Sequence, residues 1–378
     1  MTASIEVESP ADGGAEPTAT EKRAFAKLVE DEAVRVFTWD YGRDRSQLVT
    51  LYDKAMGAQW NSVTDLEWDT AVDPERVVAQ MGDDAVAPLF RVATTLPGSP
   101  LRSWGEPELN RLGVEILTAR LSQFMHGEQG AMITAAKLVE TVPWIDAKYY
   151  AATQTMDEAR HTEVFAKYID TKLTPVYPMS PYLEQQVTAI MADSRWDIAY
   201  LGMQIVIESL ALAAFGELHR TTTEPLLKKI LRYIMSDEAR HVAFGILSLG
   251  ELYQELSPAE LLERQEFLME CTVRNRARSS TPEIWERLGY PSEDVLPYLK
   301  EAARVTGTSV FAGFQRAFFA KLVPNVRRLG LLDANNGWLR QKWGEAGLLE
   351  FEQAPATTEE MDRYDAGTGR RPGGGGGR

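Results

Sequence analysis

The sequence predicts an all-α fold with a four-helix bundle at its centre. Two observations carry this expectation. Apolar residues recur at helical spacing through most of the chain, and no run of alternating β-branched residues marks a strand. The pentapeptide Asp-Glu-Ala-Arg-His also occurs twice, at 157–161 and 237–241, and each copy has a lone glutamate thirty residues upstream of its own glutamate: Glu128 for Glu158 and Glu208 for Glu238.

The elements follow in order. Residues 1–19 are acidic and rich in Ala, Thr, Pro and Gly. They have neither the basic start nor the apolar stretch of a secretory signal and are expected to be disordered. Residues 20–105 read as two or three helices joined by irregular loops. Asp73-Pro74-Glu75 begins one of them, because proline is tolerated in a first turn and acidic groups suit a helix N-terminus. The first long helix spans about 106–142. Pro143 breaks it, and a second helix runs to about 173. A proline-containing break at 174–181 allows a crossover, and a short helix near 182–193 leads to a third long helix at about 195–220. Thr221-Thr222-Thr223-Glu224-Pro225 makes a turn and a new start, and the fourth long helix runs to about Leu256. Ser257-Pro258-Ala259-Glu260 caps the next helix, and a further long helix is expected at roughly 292–330. The last ordered piece is expected near 338–351. From about Asp365 the chain ends in Arg-Arg-Pro and five glycines, which cannot offset the entropy of folding. These readings give a disordered 1–19, one folded domain at 20–364 with its core at 106–256, and a disordered 365–378.

Composition narrows the function. The formal charge of −15, without a basic run, argues against a nucleic-acid surface. The single cysteine, Cys271, excludes an intrachain disulfide and a thiolate cluster and reads as a small buried apolar residue. The most apolar segment, 198–215, contains Gln204, Glu208 and Ser209; a mid-span glutamate is costly in a membrane, so a buried bundle helix explains it better. A cytoplasmic protein without membrane attachment is expected.

The repeated motif carries the chemistry. Residues three apart on a helix share a face, so Glu158 points with His161 and Glu238 with His241. In an antiparallel hairpin, residues at equal height are equidistant from the turn. The midpoint of 128 and 158 is Pro143, and that of 208 and 238 is Thr223. Both glutamate pairs therefore meet at a similar depth, roughly 22 Å from their turns. Four ionised glutamates balance two divalent cations, and neutral imidazoles complete a ligand set suited to oxygen-loving metals. Without cations, four buried carboxylates repel and take up protons. Asp157 and Asp237 lie four residues before the ligand histidines, placed to accept their second N–H directly or across the bundle, with Arg160 and Arg240 to balance their charge.

On these residues the chain resembles the ferritin-like di-iron carboxylate superfamily. The matched core at 106–256 covers some two-fifths of the sequence. The Asp-Glu-x-Arg-His form is similar to the large subunits of bacterial multicomponent monooxygenases. The single-chain size is closer to ribonucleotide reductase small subunits and R2-like oxidases. The resemblance implies metal ligands at Glu128, Glu158, His161, Glu208, Glu238 and His241, with supporting roles for Asp157, Arg160, Asp237 and Arg240. Three departures narrow it. Phe165 stands where reductase small subunits carry the radical tyrosine. Leu212 stands where methane-type monooxygenases carry a threonine. Ile234 stands where arylamine N-oxygenases carry an extra histidine.

The expected function is an O2-dependent dinuclear iron oxygenase or oxidase, for which the ligand types suit Fe/Fe and Mn/Fe alike. Hydroxylation or N-oxidation of a small, largely apolar substrate is the leading reading. A ferroxidase or iron-handling protein and a di-iron desaturase are the alternatives. Candidate pocket residues are Phe124, Ala131, Phe165, Gln204, Leu212 and Phe244, each one turn from a ligand, together with Gly127 beside Glu128. Gly127 and Gly130 flank Glu128 and would open space there or permit a helix distortion. His126 and His219 fall outside the site. No flavin or nicotinamide fingerprint is present, so electrons are expected from a separate ferredoxin or reductase, and the chain is expected to form a homodimer.

Overall fold

The computed structural model describes residues 35–276, 282–307, 312–360 and 363. The proposed disordered ends at 1–19 and 365–378, and the start of the proposed domain, lie outside them. The described residues contain helices and no strand. Helices α1 (Ser46–Gly57), α2 (Pro74–Met81) and α3 (Pro88–Thr95) precede the bundle. The bundle consists of α4 (Glu106–Thr141), α5 (Ile145–Lys172), α7 (Trp196–Thr221) and α8 (Pro225–Leu252), with α6 (Pro181–Ala192) in the crossover. Five helices follow: α9 (Pro258–Arg276), α10 (Pro282–Arg287), α11 (Ser292–Thr306), α12 (Ala312–Arg328) and α13 (Ala334–Glu345). Among the described residues this is the all-α bundle with added helices that the sequence predicts.

The boundaries have local causes. Asp73 accepts from the Arg76 N–H (3.2 Å) and Pro74 occupies the first turn of α2. The Glu108 carboxylate accepts from the Gly105 N–H at 2.9 Å and closes the first turn of α4. Where α4 ends, the Lys148 ammonium donates to the carbonyls of Val139 (2.8 Å) and Glu140 (3.2 Å), placing a cation on the negative end of the helix dipole. Glu224 starts α8 by accepting from the N–H groups of Leu226 (2.8 Å) and Leu227 (2.6 Å), and it also accepts from the Tyr168 hydroxyl of α5 at 2.8 Å. That buried carboxylate thus fixes the start of one site helix against the end of another. Ser257 and Glu260 cap α9 reciprocally, at 2.9 and 3.4 Å.

The crossover lies along α4. Tyr177 donates its N–H to Ser122 Oγ at 3.0 Å, its carbonyl meets His126 Nε2 at 2.9 Å, and Ser180 N–H donates to Gln123 Oε1 at 2.7 Å. α6 then packs so tightly on α4 that a Cβ on Gly130 would lie 2.3 Å from Val187 Cγ1. Gly130 is therefore small because a neighbouring helix needs the space.

Three features differ from the expected outline. α8 ends at Leu252, about one turn before Leu256. The long helix expected at 292–330 is divided: α11 stops at Thr306 because Gly307 adopts the left-handed conformation (φ 66°) that ends helices, and α12 begins at Ala312. The third bundle helix contains a π-helical stretch, Leu201–Ile207, immediately before Glu208.

α7 is long and apolar enough to cross a membrane, but 89% of its most apolar window is buried inside the protein. Its apolarity serves the core. Cys271 is buried, as expected.

Candidate metal centre

Six side chains converge in the middle of the bundle. α4 supplies Glu128, α5 supplies Glu158 and His161, α7 supplies Glu208, and α8 supplies Glu238 and His241. Glu158, His161, Glu238 and His241 are wholly buried, and Glu128 and Glu208 nearly so. Their donor atoms form two overlapping groups, each within 4.8 Å: Glu128, Glu158, His161 and Glu238 in one, and Glu158, Glu208, Glu238 and His241 in the other. Glu158 and Glu238 belong to both, as bridging carboxylates between two ions would.

The hydrogen bonding alone does not explain this cluster. His161 Nδ1 lies 3.2 Å from Glu128 Oε2, 3.2 Å from Glu158 Oε2 and 3.0 Å from Glu238 Oε1, yet a single ring nitrogen carries at most one proton. Glu238 Oε1 is buried without hydrogen-bond geometry to any partner. His241 Nδ1 likewise faces Glu238 Oε2 at 2.9 Å and Glu158 Oε1 at 3.1 Å. Both rings therefore turn Nδ1 toward the carboxylates, and an oxygen-rich, half-satisfied cavity of this kind fits divalent cations.

Electrostatics point the same way. Burial, then the neighbouring charges of Glu238 and Glu158, push the Glu128 and Glu208 carboxyls well above the usual range. Burial also opposes ionisation of Glu158 and Glu238, but the two imidazoles outweigh it for Glu158, and His241, His161 and a hydrogen bond to Glu208 hold Glu238 low. Burial disfavours imidazolium, but Asp237 and three glutamates raise His161, and Glu158, Glu238 and Asp157 raise His241. A cation-free cluster thus holds protons where a metal ion would otherwise supply positive charge.

The aspartates act across the bundle. His161 Nε2 meets Asp237 Oδ2 at 3.0 Å, and His241 Nε2 meets Asp157 Oδ2 at 3.4 Å. Arg160 pairs closely with Asp157 and lies 3.5 Å from Asp237, while the buried Arg240 pairs closely with Asp237. The four glutamates, two aspartates and two arginines sum to a formal charge of −4, which two divalent cations would cancel.

Sequence reasoning missed three residues here. Trp60 donates its indole N–H to Asp237 Oδ2 at 2.8 Å and lies parallel to the His161 ring, with centroids 6.3 Å apart. Gln59 donates to Asp157 Oδ1 (3.0 Å) and accepts from Arg160 (2.9 Å). Both come from the segment after α1, and nothing in their spacing ties them to the motifs. Gln154 did carry a signal: it lies one turn before Glu158, as Gln204 lies one turn before Glu208. It donates to Glu158 Oε1 at 2.8 Å.

The candidate pocket residues fall into separate groups. Phe124 and Phe165 join Phe215 in an aromatic trio with centroids 4.7–5.7 Å apart. Phe244 packs instead with Tyr150 and Tyr200, at 4.4 and 4.9 Å. Ala131 belongs to a small cluster with Ile190, Ala199, Met203 and Ile207. Leu212 is buried in the main core, and Gln204 bonds to Gln154. A Cβ on Gly127 would meet open space. His126 bonds to the crossover backbone and is not in the cluster.

No family model and no curated protein matches the chain. Among solved structures, two of an R2-like ligand-binding oxidase resemble it at 14% identity and a TM-score of 0.41, over 85% of this chain and 96% of theirs. One is a variant with an aerobically reconstituted Mn/Fe cofactor, and the other has an aerobically reconstituted metal cofactor after photoconversion. The case for a metal centre stands on the six converging side chains: the molecule is a helical bundle whose core carries a carboxylate–histidine cluster suited to two ions.

Proposed function

We propose that this protein is an O2-dependent dinuclear-metal oxidoreductase that hydroxylates or N-oxidises a small, largely apolar organic molecule. The observation that supports this reading is the burial of Glu128, Glu158, His161, Glu208, Glu238 and His241 around two overlapping ligand groups. Two iron ions, or manganese with iron, would supply O2 reduction coupled to substrate oxidation. The chain's own residues do the rest. Glu158 and Glu238, shared by both ligand groups, would help to hold both ions, and Glu128 and Glu208 would each help to hold one. Asp237 and Asp157 hold the imidazole Nε2–H groups and so keep each Nδ1 turned inward. The enclosing helices exclude water, which strengthens every charge interaction inside.

The Phe124–Phe165–Phe215 trio, two of whose members lie one helical turn from Glu128 and His161 in the sequence, supports an apolar substrate. Electrons are assigned to a separate donor such as a ferredoxin or reductase, and the working form to a homodimer.

The test is anaerobic loading of the full chain with Fe(II), or with Mn(II) and Fe(II), followed by exposure to O2 with a reductant and a panel of small aromatic and amine substrates. Two metal ions per chain, O2 uptake and an oxygenated product support the proposal. Iron oxidation with accumulation of ferric mineral and no organic product would instead indicate iron handling, and a dehydrogenated product a desaturase.

A further inference from the structure

The centre is built on a repeat, yet its symmetry is broken at one set of positions. The repeat relates Glu128 to Glu208 and Glu158 to Glu238, so the residues one turn before these ligands should match in pairs. They do not. Gln154 precedes Glu158 and Gln204 precedes Glu208, whereas Ile234 precedes Glu238 and Phe124 precedes Glu128.

Gln154 and Gln204 are both 0% exposed. Gln204 Nε2 donates to Gln154 Oε1 at 2.8 Å, and Gln154 Nε2 donates to Gln204 Oε1 at 3.0 Å, so the two amides close a reciprocal pair between α5 and α7. That occupies one of the two N–H groups on Gln154. The other faces two ligand carboxylates, Glu158 Oε1 at 2.8 Å and Glu208 Oε1 at 3.2 Å. The opposite amide orientation would set a carbonyl oxygen against both carboxylates, so the network itself fixes which atom is nitrogen.

The backbone accommodates this pair. Gln204 sits within the π-helical stretch, whose extra residue per turn rotates the preceding helix relative to Glu208. α8 approaches it at Gly245, where a Cβ would fall 2.6 Å from Gln204 Cβ. At the symmetry-related place, Ile234 and Phe124 have no hydrogen-bonding group, and Phe124 packs on Phe165 and Phe215.

We propose that the Gln154–Gln204 pair is a positioning clasp that makes the two metal positions unequal. It restrains Glu158 and Glu208, which both bound the His241-side position, whereas on the other side only the shared Glu158 is held and neither amide reaches Glu128. The inference rests on the dinuclear reading above. The His241 side would then hold a first ion more tightly, and Glu128 would be the carboxylate that the clasp leaves free to move.

The test is a titration of metal-free, full-length protein with Mn(II), followed by calorimetry, with far-UV circular dichroism to verify folding. Wild type should show two resolved binding events. Gln154→Leu should weaken the tighter event by about 10–100-fold, the usual cost of removing a group that orients a ligand, and weaken the other event less, because only Glu158 is shared with it. Gln204→Leu should act in the same direction, and the double variant should be no worse than Gln154→Leu, because the two amides work as one unit. Crystals of wild type soaked with less than one equivalent of Mn(II) should show anomalous density on the His241 side, a readout that needs no variant to fold.

Unchanged binding constants in a folded Gln154→Leu protein, or first density on the Glu128 side, would overturn the clasp while leaving the dinuclear reading intact. A wild-type protein that binds no Mn(II) and no Fe(II) would overturn the dinuclear reading itself.

Discussion

His161 Nε2 is 3.0 Å from Asp237 Oδ2, so the imidazole of one repeated motif is held by the aspartate of the other. His241 and Asp157 make the reciprocal contact at 3.4 Å. Each motif thus supplies a glutamate and a histidine to the buried cluster and also the partner that orients the opposite histidine. The two helical hairpins are joined by polar contacts that would otherwise be unsatisfied in the core.

Asp237 should accordingly be more than a local ion-pair partner. It faces His161, Trp60, Arg240 and Arg160. Asp237→Ala leaves Arg240 buried without its close carboxylate, which should cost about 3–5 kcal/mol of stability. Asp237→Asn keeps the shape and part of the hydrogen bonding but gives up the charge, and should weaken metal binding by about 10–100-fold. Denaturant unfolding checks the first value and competition with a chelator the second.

Removing metal should make stability fall as pH rises. In the cation-free protein, Glu128 and Glu208 are raised above the ordinary 4.5, and His161 and His241 above 6.5. A group whose folded value is raised stabilises fully below its unfolded value and loses that contribution as pH climbs through the folded one. The apoprotein should therefore lose stability from about pH 5 upward. Metal binding displaces those protons, so the stabilisation that metal confers should grow over the same range. Thermal unfolding of both forms between pH 5 and 8 measures this, and a metal-independent profile would count against the cluster as a cation site.

At Gly245 the prediction is steric. Any Cβ there meets Gln204, so Gly245→Ala should force α8 away from the π-helical stretch and cost about 1–3 kcal/mol, although alanine favours helices elsewhere. A neutral or stabilising result would mean that the close approach is not required.

Glu224 provides a control away from the metal ligands. Glu224→Ala removes the N-terminal cap of α8 and the acceptor of Tyr168, and should cost about 1–3 kcal/mol by unfolding measurements. Metal stoichiometry should stay at two per chain. Loss of metal in a folded Glu224→Ala protein would show that the site depends on the exact start of α8.

The sequence made the bundle legible because its punctuation is chemical. Pro143 and the stretch from Thr221 to Pro225 mark the two turns, and equal spacing from them places the four glutamates at one depth. The helix break at Gly307 was less legible: a glycine within a helical pattern is tolerated as often as it terminates one. The π-helical stretch could not be read at all, because its residues, Leu201–Ile207, have the composition of any buried helix. Trp60 and Gln59 reach the site through tertiary packing of the segment after α1, and periodicity carries no information about such contacts. Gln154 stands between these cases. Its position one turn before Glu158 was visible, and its partner Gln204 was singled out, but their pairing joins two helices fifty residues apart, one of them π-helical at Gln204, and spacing does not report such a contact.

The central claim is that two ions sit between four glutamates and two histidines. Anomalous diffraction from crystals of the full chain, grown with iron and manganese, tests it most directly. Two adjacent peaks, both reached by Glu158 and Glu238, with His161 Nδ1 at one and His241 Nδ1 at the other, are the expected result. A single peak, no peak, or metal bound elsewhere on the chain would contradict it.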